Sequence, residues 1–408
     1  MAKTKKVPEL RFGVFTKEWL EKEYSDIAKV RRGLTYHPCN VEVDGIRVLR
    51  SSNIDEDTFI QKQDDIFVNE KAINIDFVKN NDILITSANG SSRLVGKHAI
   101  ITNISGKVVH GGFMLLATAK YPYFVNASMS SRWYGEFINL YVAGGNGAIG
   151  NLNRTDLERQ NLFIPEELEQ IKVGTFFLKL DALIALHQRK HDKLRAVKKS
   201  MLEKMFPKEG ADVPEIRFKG FTGKWERKKL VDITTPFANP IPTPHDGYWR
   251  LGIRSHARGT FYDYVMPGKE LETAQMHEVD ANNLIVNITF AWEHAVAITD
   301  SKDAGKLVSH RFPQFSFNIG MVPGYFKFLI IDDRFKHHLW LSSPGGAGRN
   351  RVLKIKEMLE YSFGVPNSSE QSRIASFFQH LDSLIALHQQ ELYKLKNIKK
   401  ACLEKMFV

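Results

Sequence analysis

The segment Gly145-Asn146-Gly147-Ala148-Ile149-Gly150 is a literal GxGxxG, the spacing that lets a dinucleotide pyrophosphate approach a helix N-terminus. Its counterpart 201 residues later, Gly346-Ala347-Gly348-Arg349-Asn350-Arg351, loses the last glycine and gains two arginines, and no βαβ pattern surrounds either copy. A tight glycine loop that leaves side chains free to approach a large ligand accounts for both. The histidines of Trp292-Glu293-His294 and His337-His338 have no HExxH spacing and no companion cysteines, so they read as loop residues rather than as a metal or catalytic centre. The chain has no P-loop, no GxSxG elbow and no adenine-methyltransferase tetrad. These patterns give enzymatic chemistry no foothold.

A different chemistry suits the basic and polar loops. Arg50-Ser51-Ser52-Asn53 follows one short strand pattern, and Arg254-Ser255-His256-Ala257-Arg258 follows its counterpart. Arginine makes bidentate contacts to guanine edges, asparagine to adenine edges, and serine or backbone amides reach phosphate, so such loops suit groove readout. Ser87-Ala88-Asn89-Gly90-Ser91-Ser92-Arg93, continuing to Lys97, stands where the other copy has Phe290-Ala291-Trp292-Glu293-His294. The candidate contacts are therefore Arg50, Ser52, Asn53, Ser87, Asn89, Ser91, Arg93, Lys97, Asn146 and Arg154 in the first half. In the second they are Arg254, His256, Arg258, Trp292, His294, Arg349 and Arg351.

The elements that must position these loops come in two copies. FFLKLDALIALHQRKHDKLRAVKKSMLEKMF, from Phe176 to Phe206, returns 201 residues later as FFQHLDSLIALHQQELYKLKNIKKACLEKMF, identical at 19 of 31 positions. VPELRFGVFTKEW from Val7 returns as VPEIRFKGFTGKW from Val213, at an offset of 206. Shared ends imply one scaffold, and divergent middles imply two different things contacted. Short β-branched runs at 45–49, 82–86 and 98–102, and at 283–289 and 295–299, predict strands edged by loops. After Pro165 and Pro366 the spacing turns helical. Phe177, Leu180, Ile184, His187, His191, Leu194, Met201 and Met205 form one seam, and Phe378, Leu381, Ile385, His388, Leu392, Leu395, Cys402 and Met406 form the other. Asn367 and Glu370 read as a capping box, and Pro207 closes the first helix.

Two such helices most simply bury their seams against each other. A pseudo-twofold makes the pair antiparallel, with His187 near His388 and Val173 near Cys402, and sets two mixed domains at opposite ends like a caliper. The expected fold class is α+β. Residues 1–165 and 211–366 form the mixed domains, and 166–210 and 367–408 form spacer helices pairing as an antiparallel coiled coil.

Composition narrows the partner. At 408 residues with 43% hydrophobic residues the chain is long enough for more than one core, and a net charge of +11 favours a polyanion, nucleic acid ahead of acidic membrane. The first helix carries part of this charge, with Arg189, Lys190, Lys193, Arg195, Lys198 and Lys199 between His187 and Lys208. No apolar run is long enough to span a bilayer and the start lacks a secretory signal, so the expectation is a soluble cytoplasmic protein with no membrane role. Cys39 and Cys402 have no metal-ligand spacing, so no metal is expected.

This layout resembles the specificity subunit of type I restriction-modification systems, over nearly the whole chain. The resemblance rests on Phe176-Phe177 through Leu183-Ile184 and its copy Phe377-Phe378 through Leu384-Ile385, on Pro165 to Gln170 and Pro366 to Gln371, and on Asn81-Asp82-Ile83-Leu84-Ile85. The second half departs from the usual Gly-Asp-Ile-Leu form with Asn282-Asn283-Leu284-Ile285. The resemblance implies a non-catalytic subunit with two target-recognition domains, each reading half of a split, asymmetric site in double-stranded DNA. It further implies two methyltransferase subunits as partners and, for cleavage, restriction subunits, with S-adenosylmethionine, ATP and Mg belonging to those partners.

Overall fold

The computed structural model describes residues 6–142, 150–270, 275–345 and 351–408. The chain divides into two compact units, 1–189 with 388–408, and 190–387, so the division passes through both long helices. These helices, Glu167–Lys204 and Ser368–Lys405, have 38 residues each.

Each unit contains the same inner scaffold. In the first, Leu20–Glu23 pairs antiparallel with Asn161–Ile164, and a four-stranded antiparallel sheet runs in the order Ala28–Arg32, Met114–Ala119, Ile83–Thr86, His98–Ile100. In the second, Glu226–Lys229 pairs with Ser362–Val365, and the sheet order is Thr234–Phe237, Gln314–Phe317, Asn283–Val286, Val296–Ile298. The central strands Ile83–Thr86 and Asn283–Val286 are buried throughout, which fits their unbroken apolar runs. The run expected to reach residue 289 stops at Val286. There the Asn287 side chain accepts from the Thr289 amide at 3.1 Å and its hydroxyl at 2.7 Å, an Asx turn that takes the backbone out of the ladder.

The outer sheets differ. The first unit orders Val108–His110, Ile46–Leu49, Ile66–Val68 and Val41–Glu42, the first two parallel. The second orders Pro240–Ile241, Met276–Glu278, Leu307–Ser309, Tyr248–Ile253 and Thr260–Val265, the third and fourth parallel. Thr260–Val265 thus flanks Tyr248–Ile253 where Ile66–Val68 flanks Ile46–Leu49.

Within the first unit the two helices run antiparallel. Val173 and Phe177 share a core with Cys402, Met406 and Phe407, Asp181 pairs with Lys399 at 2.9 Å, and His187 Nδ1 lies 3.1 Å from His388 Nδ1, as the register requires. Within the second unit Met205 and Phe206 pack with Phe378 and Leu381, and Lys198 pairs with Asp382, the repeat equivalents of Lys399 and Asp181.

The repeated VPE[LI]RF segment acts as a clasp in both units. Arg11 forks onto Glu169 through two 2.7 Å bonds, and Leu10 donates its amide to the Lys405 carbonyl at 2.8 Å. In the same way Arg217 forks onto Glu370 at 2.6 and 2.7 Å, and Ile216 donates to the Lys204 carbonyl at 2.9 Å. One short segment therefore holds the start of one long helix and the end of the other, through a buried bidentate pair. The expected capping box is consequently half formed. Asn367 Oδ1 accepts from the Glu370 amide at 2.9 Å, but the Glu370 carboxylate is committed to Arg217.

Candidate nucleic-acid interface

In the first unit the strand Ile46–Leu49 leads through Arg50 into a single 3-10 turn, Ser51–Asn53. Asn53 makes this turn. Its Oδ1 accepts from the Arg50 amide at 2.8 Å, and its Nδ2 donates to the Ile60 carbonyl at 3.0 Å and to Asp65 at 2.7 Å. Asn53 is fully buried, so its expected role in reading a base is corrected: its amide is spent on its own loop. Arg50 and Ser52 are half-buried, and the Arg50 Nε and Ser52 Oγ are buried atoms with no hydrogen-bond partner.

The second loop follows Ile83–Thr86. Ser87 is buried, with its amide on the Phe113 carbonyl at 2.9 Å and its carbonyl taking the Leu152 amide at 2.7 Å, so it too is corrected from reader to strut. Asn89 Nδ2 donates to Ser51 Oγ at 2.9 Å while its Oδ1 accepts from the Ser91 amide at 3.0 Å. That bond brings the two candidate loops together and engages one of the two Asn89 amide hydrogens. Ser91 and Arg93 remain exposed and Lys97 half-buried. Arg154 opens a short helix, Arg154–Glu158, and is paired with Glu158 at 2.9 Å.

The second unit repeats the arrangement with other side chains. The loop after Tyr248–Ile253 docks on the turn Ala291–Glu293: His256 and Ala257 donate their amides to the Glu293 and His294 carbonyls, both at 2.8 Å, and Ser255 Oγ donates to Glu293 Oε2 at 2.7 Å. Ser51 and Ser255, like Asn89 and Glu293, are 204 residues apart, so one side-chain bond closes the same pair of loops twice. Arg254, His256 and Arg258 are exposed; the Arg254 guanidinium lies 5.2 Å from the Phe261 ring centroid, and Arg258 Nε donates to the Ser255 carbonyl at 3.2 Å. His256 adopts a left-handed backbone with φ of 63°, which turns the loop outward.

His294 is the third correction. It is buried, Nε2 lies 2.6 Å from the Ile330 carbonyl, and burial holds its pKa below the ordinary histidine value, so it is a neutral structural imidazole donating inward. Trp292 is half-buried and donates to the Thr289 carbonyl at 3.1 Å. Arg351 stacks 4.6 Å over Trp340 and donates to the Ser343 carbonyl at 3.4 Å. Asn146 and Arg349 lie outside the described residues. Sequence reasoning missed the exposed aromatics of the outer hairpin, Trp249 against Tyr264 at 5.2 Å and Lys306 4.3 Å over Tyr262. The run Thr260-Phe261-Tyr262-Asp263-Tyr264-Val265 was the available signal. Among the described residues no group of three or more His, Cys, Asp or Glu side chains gathers to hold a metal, and no helix is long and apolar enough to cross a membrane.

Paired loops on a repeated scaffold present Arg93 in one unit and Arg254 and Arg258 in the other to solvent. Residues 255–397 match the family model of the type I restriction modification DNA specificity domain. The chain is similar to the type I restriction-modification system S subunit from M. genitalium, at 12% identity and a TM-score of 0.59 over 98% of this chain and 99% of that one, a likeness of fold. The HsdS subunit from Thermoanaerobacter tengcongensis is similar at 13% identity and a TM-score of 0.40, over 95% and 96% of the two chains. No curated protein matches the chain significantly. Residues 255–397 thus carry the match to a type I restriction modification DNA specificity domain, and the chain as a whole shares the fold of that S subunit.

Proposed function

We propose that each unit reads one half of a bipartite, asymmetric site in double-stranded DNA, and that the long helices, paired as an antiparallel coiled coil about a pseudo-twofold, set the gap and dock two methyltransferase subunits. Restriction subunits join for cleavage in the cytoplasm. S-adenosylmethionine, ATP and Mg serve those partners, and this chain contributes recognition alone. The observation that carries the reading is the doubly occurring loop pair: Ser51 with Asn89 and Ser255 with Glu293 close the same scaffold, while the side chains presented beside them differ. Same frame and different chemistry is what reading two different half-sites requires.

The gap is the part that a length change tests. At about 1.5 Å per residue, a 38-residue helix is roughly 57 Å long, more than the roughly 34 Å of one B-DNA turn. One heptad added to both helices keeps the seam in phase and lengthens each by about 10 Å, at most about 3 base pairs along a duplex. Methylated sites made by the reconstituted complex should then show a gap wider by about one to three base pairs with unchanged specified bases. An unchanged gap refutes the ruler role.

A further inference from the structure

A tight turn joins the outer sheet to the inner one in each unit, and the two copies are built alike. In the first unit Val108–His110 runs into Gly111-Gly112-Phe113-Met114, closed by the Met114 amide on the Gly111 carbonyl at 2.8 Å, and Met114–Ala119 follows. In the second, Leu307–Ser309 runs into Ser309-His310-Arg311-Phe312, closed by the Phe312 amide on the Ser309 carbonyl at 3.0 Å, and Gln314–Phe317 follows. The third turn residue also holds the loop after the central strand. The Phe113 carbonyl accepts from the Ser87 amide at 2.9 Å and the Arg311 carbonyl from the Ile288 amide at 3.0 Å, while the Ser87 and Ile288 carbonyls accept from Leu152 and Leu353 at 2.7 and 2.9 Å. Ser87 and Ile288, like Leu152 and Leu353, are 201 residues apart. Phe113 and Arg311 therefore occupy one position of the repeated scaffold.

Alternation along the backbone decides which way these side chains face. The next residue points inward, Met114 into the core that holds Leu49 and Leu116, and Phe312 against the core of Leu251, Ile253 and Val308. Phe113 is accordingly 74% exposed and joins no core among the described residues. Arg311 is exposed too, and among the described residues its guanidinium makes no ion pair or hydrogen bond. The first turn lies against both candidate loops: the Gly111 amide donates to the Leu49 carbonyl at 2.8 Å, a Cβ on Gly111 would stand 3.9 Å from Arg50 Cγ, and the Ala88 amide reaches the Phe113 carbonyl at 3.1 Å.

A common frame presents both side chains to the same groove of a duplex, so that groove must suit a phenyl ring in one unit and a guanidinium in the other. Arginine reads a base fully only in the major groove, where guanine offers O6 and N7, and the apolar group of that groove is the thymine methyl. We propose that the turn apex is a third reading position in each unit, where Phe113 contacts a thymine methyl in one half-site and Arg311 donates to guanine O6 and N7 in the other. The proposal rests on the bipartite-site reading and goes beyond it by naming two bases and the residues that read them.

Base analogues test it by deleting the recognised atoms. The reconstituted complex first defines the parent site from its methylated adenines, and each specified thymine is then replaced in turn by deoxyuridine, which lacks the methyl, and each guanine by 7-deazaguanine, which lacks N7. Methylation by the parent should slow about fourfold at one thymine, the worth of one buried methyl group. It should slow about fivefold or more at one guanine of the opposite half-site. Phe113→Ala should abolish the response at that thymine and keep the response at that guanine, and Arg311→Ala should do the reverse. The analogue arms on the parent chain need no variant, so they decide even where a substitution impairs folding. No sensitive thymine or guanine in the parent, sensitivities that the variants leave unchanged, or uniform slowing on every duplex overturns the proposal. Relaxed discrimination with Phe113→Ala but no deoxyuridine effect marks a wedge between bases and overturns the methyl contact. A parent complex that methylates without a bipartite site overturns the underlying reading, whereas a discrete bipartite site with any of the other failures overturns the turn-apex assignment alone.

Discussion

The Ser255 hydroxyl donates to the Glu293 carboxylate at 2.7 Å, tying the loop after one strand to the turn after another. In the first unit the same two positions hold Ser51 and Asn89, bonded at 2.9 Å with the direction of donation reversed. Removing the tie without touching an exposed arginine tests whether loop position matters. Glu293→Ala should relax discrimination in one half-site by about 1 kcal/mol, roughly fivefold, while Glu293→Gln, which can still accept from Ser255, should stay close to the parent. Methylation rates on single-base variants of the site provide the readout. Equal behaviour of the two variants would remove the positioning role.

Packing makes a prediction that runs against helix propensity. A Cβ on Gly174 would stand 2.6 Å from the Phe124 amide nitrogen and 3.0 Å from Tyr123. In the other unit the small residue has changed sides, with Ala375 on the long helix and Gly324 opposite. Gly174→Ala should therefore destabilise by about 1–3 kcal/mol through overpacking, although alanine in an open helix gains about 1 kcal/mol over glycine. Thermal unfolding decides the sign, and a raised Tm would contradict the close approach.

Acid should loosen the first unit through His110. This residue is fully buried, its Nδ1 has no partner, and burial pushes its pKa down to about 4. Above about pH 6.5 the imidazole is neutral in both folded and unfolded chains. As pH falls towards 4 the unfolded chain takes up a proton that the folded one refuses, so about 3 kcal/mol of stability is lost across that window. Buried His98 and His294, also shifted down by burial, add to the loss with the same sign. His110→Leu should flatten the fall in stability between pH 7 and pH 4.5 measured by urea unfolding, and an unchanged slope would exclude His110 as a main contributor.

The helices were the most legible part of this sequence. Seam spacing and the repeat offset placed His187 on His388 and put Val173 in the same core as Cys402, because a 3.6-residue period and a constant sum of paired positions follow from backbone geometry alone. The outer sheets were less legible, since strand order between Tyr248–Ile253 and Thr260–Val265 is decided by long-range pairing that no local pattern records. Site residues were misread for a third reason. Asn53 and His294 have the right chemistry to face a base, yet each side chain is spent on its own fold, Ser87 is buried, and residue type reveals neither outcome.

Division of labour between the two units is the central claim, and the exposed pair Arg254 and Arg258 tests it most directly. The measurement is the map of adenines methylated by the reconstituted complex carrying Arg254→Ala and Arg258→Ala. The account predicts relaxed discrimination in one half-site, by about 1–3 kcal/mol for each base-reading guanidinium removed, with the other half-site read as before. Equal relaxation of both half-sites would contradict it.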